Sequence, residues 1–176
     1  MGRPYQILLP LLSLFLVRVD LTDLFPMRME VKVLKVYDGD TILVRHGSYQ
    51  MRIRLLKIDA PELGQKYLIH SGDAGEYSSQ CLKKNLKVHT TQTLIVYKMD
   101  MYRRILGEIE GLSLKLIQQG CASLYPYAEF DSKKEKSQYL TALKKAKAQK
   151  VGLWKYGGHK RPDIFRKFKK RTAHRQ

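Results

Sequence analysis

VKVLKVYDGDTILVRHGSYQMRIRLLKIDAPE, residues Val31–Glu62, is the stretch that decides the fold. Val31–Tyr37 reads as a strand, and Asp38-Gly39 is a turn signal. Asp40–Arg45 reads as a second strand, and Gly47-Ser48 as a second turn. Met51, Ile53 and Leu55 then alternate with Arg52 and Arg54. That alternation predicts a third strand, 51–57, with one apolar and one basic face. Pro61 stops it, because proline gives a ladder no donor. Pairing the second and third strands around Gly47-Ser48 makes opposite residue numbers sum to 95. Asp40 then faces Leu55, and Asp59 lies just past that end of the ladder. Bringing Asp59 to Asp40 requires the sheet to curl, as a barrel does.

Downstream, Asp73–Leu86 reads as a helix, with Tyr77, Cys81, Leu82 and Leu86 near one face. Thr93–Tyr97 and Arg104–Ile109 read as two more strands. Ser113–Gln119 reads as a short helix closed by Gly120. Ser132 and Glu135 form a capping box for a helix running to about Lys150, with Tyr139, Leu140 and Leu143 as its buried stripe. Five short strands, with helices after the third and the fifth, predict an α+β fold built on a small OB-type barrel.

The chain has 176 residues, which suits one main domain. Its 33 Lys and Arg outweigh 16 Asp and Glu, a formal net charge of +17. In residues 1–30 Arg3, Arg18 and Arg28 balance Asp20, Asp23 and Glu30, so the whole excess lies in residues 31–176. Such a field draws in polyanions. Nucleic acid is the first partner it implies, and an anionic membrane surface the second. The composition excludes a collagen, a coiled coil, a polytopic membrane protein and a disulfide-dense mini-protein. Two cysteines with no CxxC exclude a zinc ribbon. Cys81 and Cys121 read as small buried hydrophobes.

The ends differ from the middle. Residues 1–26 carry the uncharged run Ile7–Val17, too short to span a bilayer but of signal-peptide length. A signal peptide, a membrane anchor and an extension upstream of a true start at Met27 or Met29 are the three readings. The first two place the protein outside the cell or at a membrane, the third in the cytoplasm. Contact with a membrane through residues 7–17 belongs to the same set. The domain proper is 27–155. Residues 156–176 read as a basic, disordered tail; from Lys155 onward nine Lys and Arg face one Asp.

Chemistry is concentrated in two acidic motifs, Asp38-Gly39-Asp40-Thr41 and Asp59-Ala60-Pro61-Glu62. Acids brought together in so basic a domain repel unless a cation sits between them. Calcium takes carboxylate, carbonyl and water oxygens. The plainer reading is that Asp-Gly makes a turn and Asp59 caps a strand. Arg54 and Arg104 are candidate phosphate ligands, since guanidinium forks bind phosphate bidentately. Tyr125 and Tyr127 offer rings for stacking on bases, or for core packing.

These residues resemble the staphylococcal-nuclease-like (thermonuclease) family. VLKVYDGDT at Val33–Thr41 and IRLLKIDAPE at Ile53–Glu62 carry the likeness. It continues through the AGEY and CLKK helix, DMYRRILG at Asp100–Gly107, QQGCA at Gln118–Ala122 and VGLW at Val151–Trp154. It covers roughly residues 31–155. The resemblance implies an OB-like five-stranded barrel with three helices. It implies a monomeric, calcium-dependent phosphodiesterase that cuts DNA and RNA with low sequence specificity, endonucleolytically, and leaves 3′-phosphates. Asp40 and Asp59 would be calcium carboxylates, and Ala60 would give its backbone carbonyl. Glu62 would be the general base, and Arg54 and Arg104 would hold the scissile phosphate. Tyr102, Tyr125 and Tyr127 would contact the nucleotide. The alternative is an OB-type nucleic-acid-binding module that does not cut. Arg103 stands where the family commonly has glycine, and Met101 where a basic residue is common. The register still expects Arg104, not Arg103, to point inward.

Overall fold

The computed structural model describes residues 26–100 and 104–173. Ile7–Val17, Met101, Tyr102 and Arg103 therefore lie outside the described residues. Five strands close a barrel: β1 (Met27–Val36), β2 (Thr41–His46), β3 (Tyr49–Leu55), β5 (Thr91–Met99) and β6 (Ile105–Ile109). Their order is β1-β2-β3-β6-β5, closed by antiparallel pairing of β1 with β5. The β2–β3 hairpin has the expected register, with Thr41 opposite Arg54 and Ile42 opposite Ile53. β3 and β6 pair in parallel, Arg54 beside Leu106. Arg104 sits just before β6 rather than opening it.

Alternation fills the barrel. Val31 and Val33, Ile42 and Val44, Ile53 and Leu55, and Leu94 and Val96 are all buried inside. Full burial of each such side chain stabilises the fold by about 1.5–3 kcal/mol. Outside, Leu82 of α1 (Ala74–Asn85), its C-cap residue Leu86, and Leu116 and Ile117 of α2 (Leu112–Gln118) pack with Ile58 and Ala60 into the same core. Asp73 caps α1 through the amide of Glu76.

Several expectations change. The third strand ends at Leu55, not 57, because Lys57 turns the chain with φ of +67°. Ile58–Asp59 then forms a two-residue strand, β4, paired with β7 (Ser123–Leu124). The buried face of α1 is Ala74, Gly75, Ser78, Ser79 and Leu82, while Tyr77 stays partly exposed. In α3 (Lys133–Ala148) the buried stripe is Tyr139, Ala142 and Ala146, and Leu140 is exposed. Small alanines let α3 lie close. Cys81 and Cys121 are joined in a disulfide, with Cα atoms 5.8 Å apart, rather than packing as separate hydrophobes. It ties α1 to the segment after α2 across 40 residues of sequence, worth about 4 kcal/mol in the chain-entropy account.

Among the described residues of the expected tail, 162–173 form a helix. After a 3-10 turn at Gly152–Tyr156, α4 spans Pro162–Ala173 and makes a fourth helix among the described residues, where three were expected. Proline at the first helical position is preset for it. The approach to α4 is fixed by hydrogen bonds: Leu68 donates to the Gly158 carbonyl (3.0 Å), and Gln65 Nε2 donates to that of Lys160 (2.5 Å).

Candidate active site

The turn at Lys57 builds the site. Leu55 N donates to the Asp40 carbonyl (2.8 Å), fixing Asp40 at the mouth of β2. Two residues later the chain reverses direction, and Asp59 and Ala60 come back alongside. Ala60 N donates to Asp40 Oδ2 (2.9 Å). The two acids thus meet at the end of the β2–β3 hairpin of the closed barrel, where the chain kinks at Lys57. Thr41 Oγ1 donates to Asp40 Oδ1 (3.0 Å), and Asp40 N donates to Asp38 Oδ1 (3.0 Å).

Two glycines permit this packing. A Cβ on Gly39 would stand 2.0 Å from Ser78 Oγ and 2.6 Å from the Ala60 methyl. One on Gly75 would stand 1.9 Å from the Glu62 carbonyl oxygen. The DGDT turn and the first turn of α1 therefore press directly on the DAPE segment.

Arg54 braces the two carboxylates. Its NH2 lies 3.2 Å from Asp40 Oδ2 and 3.1 Å from Asp59 Oδ1, while NH1 donates to the carbonyls of Leu55 (2.6 Å) and Ile58 (2.9 Å). Asp59 is 1% exposed, and its Oδ2 is buried without a hydrogen-bond partner. Burial pushes its carboxyl up to about 6; Asp40 adds to the rise, while Arg54 and Arg166 oppose it. Asp38 is also pushed up to about 6, by burial first and then by Asp40. Glu62 stands at the rim, its side chain 35% exposed, with its amide donating to Gln65 Oε1 (3.1 Å).

The structure thus brings together Asp40, Arg54, Asp59, Ala60 and Glu62. Arg104 is anchored on Asp100, Nε to Oδ2 at 2.9 Å and NH2 to Oδ2 at 2.8 Å. It lies two residues before Leu106, the register partner of Arg54. Tyr125 and Tyr127 form an edge-on pair with centroids 5.6 Å apart, and Tyr127 is 71% exposed, so the pair is not core packing. Tyr125 N donates to the Lys57 carbonyl (3.0 Å), which ties this pair to the same turn. Tyr102 lies outside the described residues.

Two groups at this site were not anticipated. Asp38, read as a turn residue, is a third acid beside the pair. Arg166 comes from α4: its NH1 lies 2.5 Å from Glu62 Oε1 and its NH2 3.5 Å from Asp59 Oδ1. The signal for α4 was present in Pro162 followed by Ile164, Phe165 and Phe168 at helical spacing, but the basic residues around them masked it.

Among the described residues, no cluster of three or more His, Cys, Asp or Glu is placed to hold a metal. The site nevertheless suits a hard cation. The candidate donors, the Asp40 and Asp59 carboxylates and the Ala60 carbonyl, are all oxygen, and Asp59 Oδ2 is a buried acceptor with no hydrogen-bond partner.

A family model described as staphylococcal nuclease homologue matches residues 52–156. A protein of Escherichia coli described as an uncharacterized endonuclease is 32% identical over 139 residues, covering 77% of this chain and 83% of its own length. A micrococcal nuclease of Shigella flexneri is 27% identical over 155 residues, covering 81% of this chain and 83% of its own. A probable endonuclease of Phaeosphaeria nodorum, LCL3, is 32% identical over 150 residues, covering 72% of this chain and 48% of its own.

Proposed function

The chain belongs to the staphylococcal nuclease homologue family, and from that premise we propose that it is a calcium-dependent endonuclease, acting as a monomer on DNA and RNA with low sequence specificity and leaving 3′-phosphates. One observation carries this reading: two buried carboxylates, Asp40 and Asp59, meet beside a rim carboxylate, Glu62, in a domain that otherwise repels cations.

Asp40, Asp59 and the carbonyl of Ala60 would hold the calcium ion. When bound, it supplies positive charge to the phosphate that the nucleophile attacks. The remaining work falls to side chains. Glu62, exposed at the rim, accepts a proton from the attacking water; general bases of this kind contribute about 10²–10⁴-fold. The bond from phosphorus to the 5′ oxygen breaks, that oxygen takes up a proton from solvent, and the phosphate stays on the 3′ side. Negative charge builds on the phosphate oxygens in the transition state. Arg54 and Arg104 offset it with fixed guanidinium charge, a preorganised electrostatic contribution. Tyr125 and Tyr127, with Tyr102, would stack on or pack against the nucleotide. The +17 charge raises the local concentration of substrate without reading its sequence.

Export to an oxidising compartment or a membrane surface fits this activity. The Ile7–Val17 run supports it, and so does the Cys81–Cys121 disulfide, since such bonds persist outside reducing compartments. The test is degradation of plasmid and single-stranded DNA with calcium and with a chelator. Cleavage only with calcium, 3′-phosphate ends and loss of cleavage in Glu62→Gln are expected. Cleavage unaffected by the chelator would overturn the calcium role. Tight binding with no cleavage under any divalent cation would favour the non-cutting module.

A further inference from the structure

Residues beyond Tyr156 lie outside the family match, yet one of them, Arg166, reaches the site. The segment Gly158–Lys160 is pinned to the loop that follows Glu62, through the Leu68 amide and the buried Gln65 side chain. Gln65 also accepts from the Glu62 amide, so one residue positions both the rim acid and the approach to α4. Pro162 is buried, and one turn later Arg166 reaches back to the carboxylates. Its guanidinium contacts an oxygen of Asp59 and an oxygen of Glu62 at once, and Arg54 pairs with the same Asp59 oxygen.

We propose that Arg166 is an intramolecular competitor of the catalytic cation: in the cation-free protein it occupies the positive position beside Asp59 and engages Glu62, so α4 sets the calcium level at which the site fills. This rests on the reading of Asp40 and Asp59 as cation ligands. A buried carboxylate demands a counter-charge. Arg166 supplies one charge without strong fixation, its side chain being 41% exposed. A divalent ion held by Asp40 and Asp59 brings two positive charges to the same Asp59 carboxylate that Arg166 contacts, so like-charge repulsion sets the ion and the guanidinium against each other. The ion's apparent affinity is therefore reduced by the fraction of molecules whose Arg166 is withdrawn.

The experiment is calorimetric titration of calcium into the metal-free full chain, for wild type, R166Q, R166K and K167Q. K167Q removes the same unit of charge from an exposed neighbour on α4. R166Q is expected to tighten the apparent Kd about tenfold, as if about a tenth of wild-type molecules had Arg166 withdrawn. R166K keeps the charge but lacks the planar fork that spans two carboxylates, so about threefold tightening is expected. K167Q should stay within about twofold of wild type, as a screened surface charge does. Should R166Q not fold, the R166K arm decides alone. Wild-type affinity in both Arg166 variants overturns the competition and leaves the cation site standing. Equal tightening in R166Q and K167Q overturns it in favour of diffuse charge. Calcium binding by none of the four proteins overturns the cation site and this inference together.

Discussion

Two ionic clusters flank the Lys57 turn, and they are built on opposite terms. On one side Lys57 reaches Glu108 (3.0 Å) and Glu135 (2.5 Å); Tyr139 and Tyr97 donate their hydroxyls to Glu108, and Asp131 its amide to Glu135. Burial alone would pull the Lys57 ammonium down, but the bonds to Glu135 and Glu108 outweigh it and hold it above its ordinary value. On the other side, Asp59 keeps a buried oxygen with no partner and a carboxyl pushed up to about 6. In the first cluster every carboxylate oxygen has a hydrogen-bond partner; in the second, Asp59 Oδ2 has none. A satisfied buried network fixes structure, and an under-satisfied one is poised to bind. The same turn serves both, because Lys57 anchors the residues on either side of it.

The sharpest way to break this contrast is Lys57→Met. It strands Glu108 beside Tyr139, and removing one partner of a buried pair costs about 3–5 kcal/mol. Urea unfolding should show a loss of that order, with activity falling as the turn loosens. A loss under about 1 kcal/mol would mean the network is ornamental to the fold.

Glu62→Gln should behave in the opposite way. Turnover should drop by about 10²–10⁴-fold, while nucleic-acid affinity and unfolding midpoint hardly move. The Glu62–Arg166 pair is too exposed to carry much stability. Single-turnover cleavage alongside equilibrium binding checks this, and near-normal turnover removes Glu62 from the base role.

Asp59→Asn tests the under-satisfied side by pH. The folded state holds the Asp59 proton more firmly than the unfolded chain, whose value is the ordinary 3.8. Wild type therefore loses stability as pH rises from about 4 to about 6, and the loss persists above that. Without a titrating group, D59N should be more stable than wild type at pH 7 by on the order of 1–3 kcal/mol, though inactive. The difference should vanish at pH 4 and below. Unfolding in chelator at the two pH values measures it. A less stable D59N at pH 7 would show that the guanidiniums outweigh burial.

The smallest effect concerns how Glu135 is presented. Ser132 Oγ accepts from the Glu135 amide and caps α3. The Glu135 carboxylate accepts from Asp131 N, one residue before the cap, and sends its other oxygen to Lys57. Ser132→Ala should cost about 1 kcal/mol, seen as a lowered unfolding midpoint with unchanged activity.

Much of this was legible in residues 31–62. Alternation along β2 and β3, with a glycine turn between them, leaves one register that buries Ile42, Val44, Ile53 and Leu55 together, so Asp40 had to fall opposite Leu55. The DGDT and DAPE motifs marked the acids, and Ser132 with Glu135 marked the start of α3. Other features were invisible for stated reasons. Lys57 is a lysine in left-handed backbone, which no composition rule predicts. Its burial depends on Glu108 and Glu135, 51 and 78 residues away. The pairing of Cys81 with Cys121 needs α1 and the α2 exit to be adjacent in space. α4 carries so many basic residues that its apolar positions read as tail.

Sequence by itself determined the barrel, its hairpin register and the residue types of the site, because each follows from local alternation and turn chemistry. Tertiary structure alone decided which charges are satisfied. Counter-charge depends on what the fold brings within about 4 Å, where Coulomb energy in a poorly solvated interior outweighs every local preference. Glu108 and Glu135 converge on Lys57, and Arg166 arrives from 104 residues beyond Glu62. Asp59 Oδ2 is left alone, and no neighbour in the sequence records any of the three outcomes.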